Sequence, residues 1–405
     1  VNEPGASDAA APRSDRGLLL LLASCSALGP VSTLLVLPAL PDIRADFAVS
    51  TAATQTVISA SLIAFAGGIL VGGPLSDRYG RRPAMLGGLL LFLVGTLLCA
   101  VAPTMSALVF GRVTQALGSS MALVVARAVI GDTYRDWRLA RALANQTLFM
   151  MMGTTISPYL GGIGAEYFGW QSVFLILLAA GCITLVAAWR ALPETRVPSE
   201  SARTFAGIAK ASATVLRNRL FFACALDSSV IYAVYLVFIS IAPYVMAEMF
   251  DRPATEFGLW CLLISAGYFA GNLYVSRRGN ALNMPRLAQL GSRLQAGSAV
   301  VALACVLLGF THPVFWFLPM LPLAIGQGLA LPHVMATAVQ LSPANAGVAS
   351  SLLGFSQQAV TALSVQAMAF APTDTPVPVL AFCAALSVLS LGSLRIVGHA
   401  GRAQA

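Results

Sequence analysis

The chain is 405 residues long, 58% hydrophobic and 10% charged, with a formal net charge of +8. A soluble domain carries about 25% charged residues, so this composition excludes a water-soluble globular protein and implies a chain embedded in lipid. The basic residues fall between long apolar runs, where they set membrane orientation rather than bind nucleic acid.

Residues 1–16 are polar, rich in Ala, Ser, Asp and Pro, and lack the ordered segments of a signal peptide. They read as a disordered cytoplasmic tail. Twelve apolar runs follow, near residues 17–40, 52–73, 83–102, 105–131, 142–164, 170–190, 218–247, 255–276, 288–309, 313–338, 343–370 and 376–397. Each is long enough to cross a hydrocarbon layer about 30 Å thick as a helix. Residues 192–217 form the longest polar interior stretch and divide the runs six and six. The expected fold is an all-α polytopic membrane protein of twelve transmembrane helices. One six-helix half covers residues 17–191 and the other 218–397, with a cytoplasmic linker at 192–217 and a tail at 398–405.

Charge supports an even number of spans. With the amino terminus in the cytoplasm, Arg13, Arg16, Arg78, Arg81, Arg82, Arg135, Arg138, Arg141, Arg196, Arg203, Lys210, Arg277, Arg278, Arg286 and Arg402 lie inside. Only Arg44 and Arg252 are left for the outer loops, the asymmetry the positive-inside rule demands. The seven cysteines sit one per apolar run without C-x-x-C spacing, and the three histidines are scattered. Neither a metal nor a cofactor is expected. There is no Walker loop for ATP, and the few acids are too dispersed for an enzyme's site.

Four stretches carry chemistry. The first, Gly73-Pro74-Leu75-Ser76-Asp77-Arg78-Tyr79-Gly80-Arg81-Arg82, reads as a short charged loop between spans two and three. The second is Arg112-Val113-Thr114-Gln115-Ala116-Leu117-Gly118 in span four. An arginine inside a span must face a cavity or a partner, and Gln115 shares its helix face. The third, in span five, joins Gly153, Pro158, Gly161 and Gly162, which kink a helix and admit close packing. The fourth is Asp227, the only acid deep in any expected span, about nine residues into span seven. A 1.5 Å rise per residue puts it near the midplane, where a carboxylate is a functional candidate. Polar residues on spans one, two, four, seven, eight and eleven are cavity candidates: Ser32, Gln55, Ser59, Gln115, Tyr232, Tyr235, Tyr268, Asn272, Gln357 and Gln358.

With twelve spans in two halves, the loop at residues 73–82 resembles the signature loop of the major facilitator superfamily. Leu37-Pro38-Ala39-Leu40-Pro41, the run from Ala126 to Asp132, Gly169-Trp170 and Pro193-Glu194-Thr195 are similar to its drug:proton antiporter branch, and within it to the bicyclomycin/chloramphenicol-resistance (Bcr/CflA) subfamily. The resemblance is good over residues 30–200 and looser beyond. It implies that Asp77, Arg78, Arg81, Arg82, Arg127 and Asp132 form a gating latch between the halves. It also implies that Arg112 belongs to a proton-coupled transporter and that the span-five glycines and proline are an exporter's hinge.

One departure stands out. The branch usually carries an acid in span one, four residues before the proline of L-P-A, and that position here is Leu34. Asp227, poised by a nearby Arg112, is then the expected carrier of the coupling proton. The implied protein is a monomeric inner-membrane antiporter with both termini cytoplasmic. It would export a small apolar or amphiphilic compound, a drug or an endogenous product such as a siderophore, against protons. An importer or uniporter without proton coupling is the alternative.

Overall fold

A computed structural model describes residues 13–195, 205–278, 284–310, 312–372 and 375–402. The tail up to residue 12, residues 196–204 of the linker and residues 403–405 lie outside the described residues.

The first half contains α1 (Arg13–Val36), a 3-10 turn at Leu37–Ala39, α2 (Leu40–Asp46), α3 (Thr51–Tyr79), α4 (Arg81–Ala100), α5 (Met105–Thr133), α6 (Asp136–Phe168) and α7 (Gln171–Ala191). A short helix, α8 (Phe205–Leu216), precedes the second half. That half contains α9 (Arg219–Glu248), α10 (Ala254–Arg278), α11 (Met284–Leu307), α12 (Pro313–Phe317), α13 (Met320–Gln340), α14 (Ala346–Met368) and α15 (Val377–Arg402). Helices α1, α3, α4, α5, α6, α7, α9, α10, α11, α13, α14 and α15 make twelve long helices among the described residues, matching the twelve apolar runs. Nine segments among the described residues are long and apolar enough to cross a membrane by length and composition. Large apolar side chains such as Ile63, Leu90, Phe110, Ile183 and Leu363 point outward. Such a surface suits lipid and not water.

Polar residues mark the helix ends. Ser50 accepts the amide of Ala53 at 3.2 Å at the start of α3, and Thr104 does the same for Ala107 at the start of α5. Asn218 caps α9 through the amides of Leu220 and Phe221. Proline divides span one: α1 ends at Val36, Pro38 opens the 3-10 turn at Leu37–Ala39, and Pro41 opens α2.

Three expectations need correction. Residues 73–82 are not a ten-residue loop: α3 runs through Pro74 to Tyr79, and α4 begins at Arg81. Charge alone does not end a helix. The chain reverses at Gly80, whose φ of 99° is open to glycine and strained for other residues. The linker is not merely polar, since α8 lies within it and buries Val215 beside Phe221 and Leu353. The last helix also continues past residue 397, to Arg402.

The two halves repeat. In the first, a Cβ on Gly95 would lie 2.7 Å from Gly111 O, and one on Gly111 would lie 3.0 Å from Gly95 O. In the second, Gly291 and Gly326 face each other in the same way, at 2.5 and 2.3 Å. Only glycine permits this approach, which locks α4 to α5 and α11 to α13 backbone to backbone. The halves meet along two seams, α3 with α14 and α6 with α10.

Candidate functional site

Both halves line a central cavity of about 190 Å³. From the first half come Gly29, Pro30, Thr33 and Leu34 on α1, Leu62 and Phe65 on α3, and Thr147, Met150, Met151, Thr154 and Thr155 on α6. From the second come Tyr232, Tyr235 and Leu236 on α9, Ser265, Tyr268 and Asn272 on α10, Gln327 on α13 and Gln358 on α14. Drug-sized ligands usually occupy about 300–1,000 Å³, so in this conformation the space suits a compact, single-ring molecule. The wall is mostly apolar, with its polar groups partly spent on one another. Tyr235 and Ser265 share a hydrogen bond at 3.2 Å, Asn272 Nδ2 donates to Tyr268 O at 3.0 Å, and Gln327 Nε2 donates to Ile231 O at 3.3 Å. Gln358 Oε1 is buried with no hydrogen-bond partner among the described residues.

Five of the cavity candidates read from the sequence, Tyr232, Tyr235, Tyr268, Asn272 and Gln358, line this space. The others sit elsewhere. Gln55 Nε2 donates to Ser240 O on α9 at 2.7 Å and Ser59 donates to Gln366 Oε1 on α14 at 2.6 Å, so both bridge the two halves. Ser32 donates to Gly29 O within α1, and Gln115 Nε2 donates to Thr96 inside the first bundle. Gln357 is half-buried on α14, next to the wall but not in it. Sequence reasoning missed Thr33, Met150, Met151, Thr154 and Gln327. Threonine and methionine are unremarkable in a lipid-facing span, and nothing local shows which face meets the other half.

Arg112 is fully buried. Its Nη1 donates to Ser32 O at 3.4 Å and to Gln115 Oε1, and its Nη2 donates to Ser61 Oγ at 3.4 Å. None of these partners is a carboxylate. Asp227, also fully buried, accepts from Ser390 Oγ on α15 at 2.8 Å. The expectation that Arg112 poises Asp227 is therefore corrected: the two belong to different halves and are not partners. The repeat explains why. Arg112 follows Gly111 as Gln327 follows Gly326, and each reaches a carbonyl on the first helix of its own half, Ser32 O or Ile231 O.

At the end of the molecule marked by Gly80, Arg81 is the hub. Its Nη1 donates to Asp77 at 2.7 Å and to Ser76 at 2.6 Å, and its Nε donates to Asp132 at 2.8 Å. Glu194 accepts the amides of Arg81 and Arg82 at 2.8 and 3.0 Å, capping α4 with a carboxylate at its positive end. Arg82 Nη2 donates to Trp189 O at 2.7 Å. Arg78 lies over the Tyr79 ring, and Arg127 is exposed on α5, outside the Arg81 cluster. A latch between the halves was expected; the described side-chain partners of the Arg81 guanidinium, Ser76, Asp77 and Asp132, all belong to the first half. The Pro193-Glu194-Thr195 motif gives no local sign of this capping role, because Glu194 lies more than 110 residues along the chain from the amides it accepts.

The opposite end holds the contacts that cross between halves. Arg44 pairs with Glu248, and Glu166 accepts the amide of Thr255 at 3.1 Å as well as its hydroxyl. Here the span-five elements act as a crossing. A Cβ on Gly162 would lie 2.5 Å from Ala254 O, and one on Gly258 would lie 2.8 Å from Pro158 O. Gly161 packs instead on α1, where a Cβ would lie 2.1 Å from Leu35 O, and Gly153 faces Val31. A larger hollow of about 750 Å³ opens at this end between Asp42, Asp46, Glu166 and Arg252. It is less suited to recognition, because Asp46 already accepts from Trp170 at 2.9 Å and Glu166 is held by Thr255.

Comparison with known proteins agrees with this architecture. The Major Facilitator Superfamily profile matches residues 21–365. The multidrug resistance protein MdtL of Citrobacter koseri is 27% identical over 378 residues, covering 92% of this chain and 94% of its own. The uncharacterized MFS-type transporter YdgK of Bacillus subtilis is 25% identical over 352 residues, covering 83% and 84%. Among solved structures, a peptide transporter POT in complex with sulfate superposes with a TM-score of 0.76 at 16% identity, covering 98% of this chain and 96% of that one. That likeness concerns the fold.

Proposed function

The chain belongs to the major facilitator superfamily, a transporter rather than an enzyme, and from that premise we propose that it exports a small, largely apolar or amphiphilic compound by proton antiport with alternating access. The observation that carries the reading is the cavity itself, walled by both halves and mostly apolar. The similarity to a multidrug resistance protein supports drugs as the substrate class, and the motifs in the first half support a Bcr/CflA-like exporter. In this reading residues 17–191 and 218–397 rock about the cavity, the Gly80 end and both termini face the cytoplasm of a bacterial inner membrane, and one chain suffices. The substrate cavity is formed by Tyr232, Tyr235, Tyr268, Asn272 and Gln358 together with the walls of α1 and α6. Asp227 carries the coupling proton.

Accumulation of candidate compounds in cells with and without the protein tests export. Lower accumulation with the protein, abolished by collapsing the proton gradient, is the expected result, and equal accumulation across a broad compound panel sinks the reading. One observation favours the alternative of an importer or uniporter: Leu34 lines the cavity where the branch usually has an acid. Flux unaffected by a pH gradient would select it.

A further inference from the structure

The cavity wall contains no charged side chain among the described residues. One layer behind it sits Arg112, bonded to Ser32 O, whose neighbour Thr33 is on the wall, and to Ser61, whose neighbour Leu62 is on the wall. Its partners are a carbonyl, a hydroxyl and an amide, so no carboxylate among the described residues pairs with the guanidinium. In a low-dielectric interior such a charge acts over several ångströms and repels another cation. Asp227 is the buried acid of the other half. At 100° per residue it lies about 80–180° round α9 from the wall residues Tyr235, Tyr232 and Leu236; it is not itself in the wall, and it accepts from Ser390 on α15. Gln358, on the wall, keeps its Oε1 buried without a hydrogen-bond partner among the described residues, and a rotation of its side chain would bring that oxygen to a ligand. A buried acceptor left unpaired is costly, and a ligand donor relieves that cost.

We propose that this cavity selects by charge state: it takes uncharged aromatic molecules bearing an O–H or N–H donor, which Gln358 accepts, and it rejects organic cations. The proposal rests on the reading of the cavity as the substrate site. Tyr232, Tyr235 and Tyr268 present the competing possibility, because tyrosine rings can cage a quaternary ammonium. The two pictures predict opposite orders of affinity.

The test uses an isosteric pair, meta-tert-butylphenol and meta-hydroxyphenyltrimethylammonium, which differ in charge and hardly in shape. Binding to the full chain in lipid nanodiscs is measured by equilibrium dialysis, with protein-free discs subtracted. The phenol is expected to bind at least about tenfold tighter than the cation. Gln358→Leu should weaken the phenol about tenfold and leave tert-butylbenzene, which has no donor, unchanged. Leu34→Glu should raise affinity for the cation, whereas Leu34→Gln should not. Cation binding equal to or tighter than phenol binding in the unmodified protein overturns the proposal and leaves the transport reading standing. Binding of neither probe overturns the cavity as a ligand site and takes both readings with it. The expected order of binding, with no flux of either probe in proteoliposomes, sinks the transport reading alone.

Discussion

Arg81 on α4 donates from Nε to Asp132 on α5 at 2.8 Å, with the arginine side chain 5% exposed and the aspartate 29%. Asp77 holds the same guanidinium from α3. Both acids lie in the first half, so the cluster staples three helix ends of one bundle. Removing one acid leaves the other to balance the charge, and removing both strands a buried cation. Asp132→Asn should lower stability by about 1–2 kcal/mol, and the double variant with Asp77→Asn by about 3–5 kcal/mol. Thermal unfolding in detergent checks this. A double variant no worse than the single one would show that Arg81 does not need its acids.

Arg44 and Glu248 make the complementary contact, across the halves at the far end. Each side chain is 34% exposed, so the pair is worth about 0.5–1 kcal/mol. That is too little to hold a fold together, but enough to move a two-state equilibrium about two- to fivefold. Glu248→Gln should open the Arg44 end, read as a longer-distance population between spin labels at positions 45 and 247. Arg44→Glu combined with Glu248→Arg should restore the original distribution. A distribution identical in all three proteins would remove the pair from gating.

The helices were legible because a span of about 20 apolar residues is a local property. What the sequence hid was the facing of each polar residue. Tyr268 and Gln55 look alike inside an apolar run, yet one lines the cavity and the other reaches Ser240 across a seam. Arg112 and Asp227 suggested a pair because they are rare, opposite and buried, and tertiary placement separated them. The repeat left only a weak trace in the sequence, in Arg277-Arg278 as an echo of the stretch at residues 73–82 and in the glycines of spans five and eleven. Arg112 and Gln327 hold equivalent places while differing in chemistry, and only the facing glycines reveal the match. Likewise α3 continues through charged residues to Tyr79, because a helix end facing water tolerates charge and breaks only where Gly80 allows a positive φ.

The crossing of α6 and α10 depends on backbone contact between halves. A methyl on Gly162 would press within 2.5 Å of Ala254 O, with no flexible side chain to yield. Gly162→Ala should therefore separate the halves and reduce transport at least about tenfold while each bundle stays folded. Gly67, on α3, has open space where a methyl would sit, with nothing within 4 Å, and serves as the control. Gly67→Ala should transport at the unmodified rate. Equal activity of the two variants in proteoliposomes, at equal expression, would contradict a close crossing.

Asp227 is the remaining test of how export is powered. It is the acid that sits deep in span seven, and it accepts from Ser390 on α15. If it carries the coupling proton, Asp227→Asn should abolish substrate-driven proton movement in vesicles while passive equilibration of substrate continues. Arg112 has no contact with it, so Arg112→Gln should act independently. Groups without shared partners contribute additively within about 0.5 kcal/mol. A double-mutant cycle on the two positions should then give a coupling energy below that value, measured from transport rates at several pH values. Strong coupling between them would mean that the halves bring the pair together in another conformation of the cycle, and undiminished proton movement in the Asp227 variant would remove the acid from the mechanism.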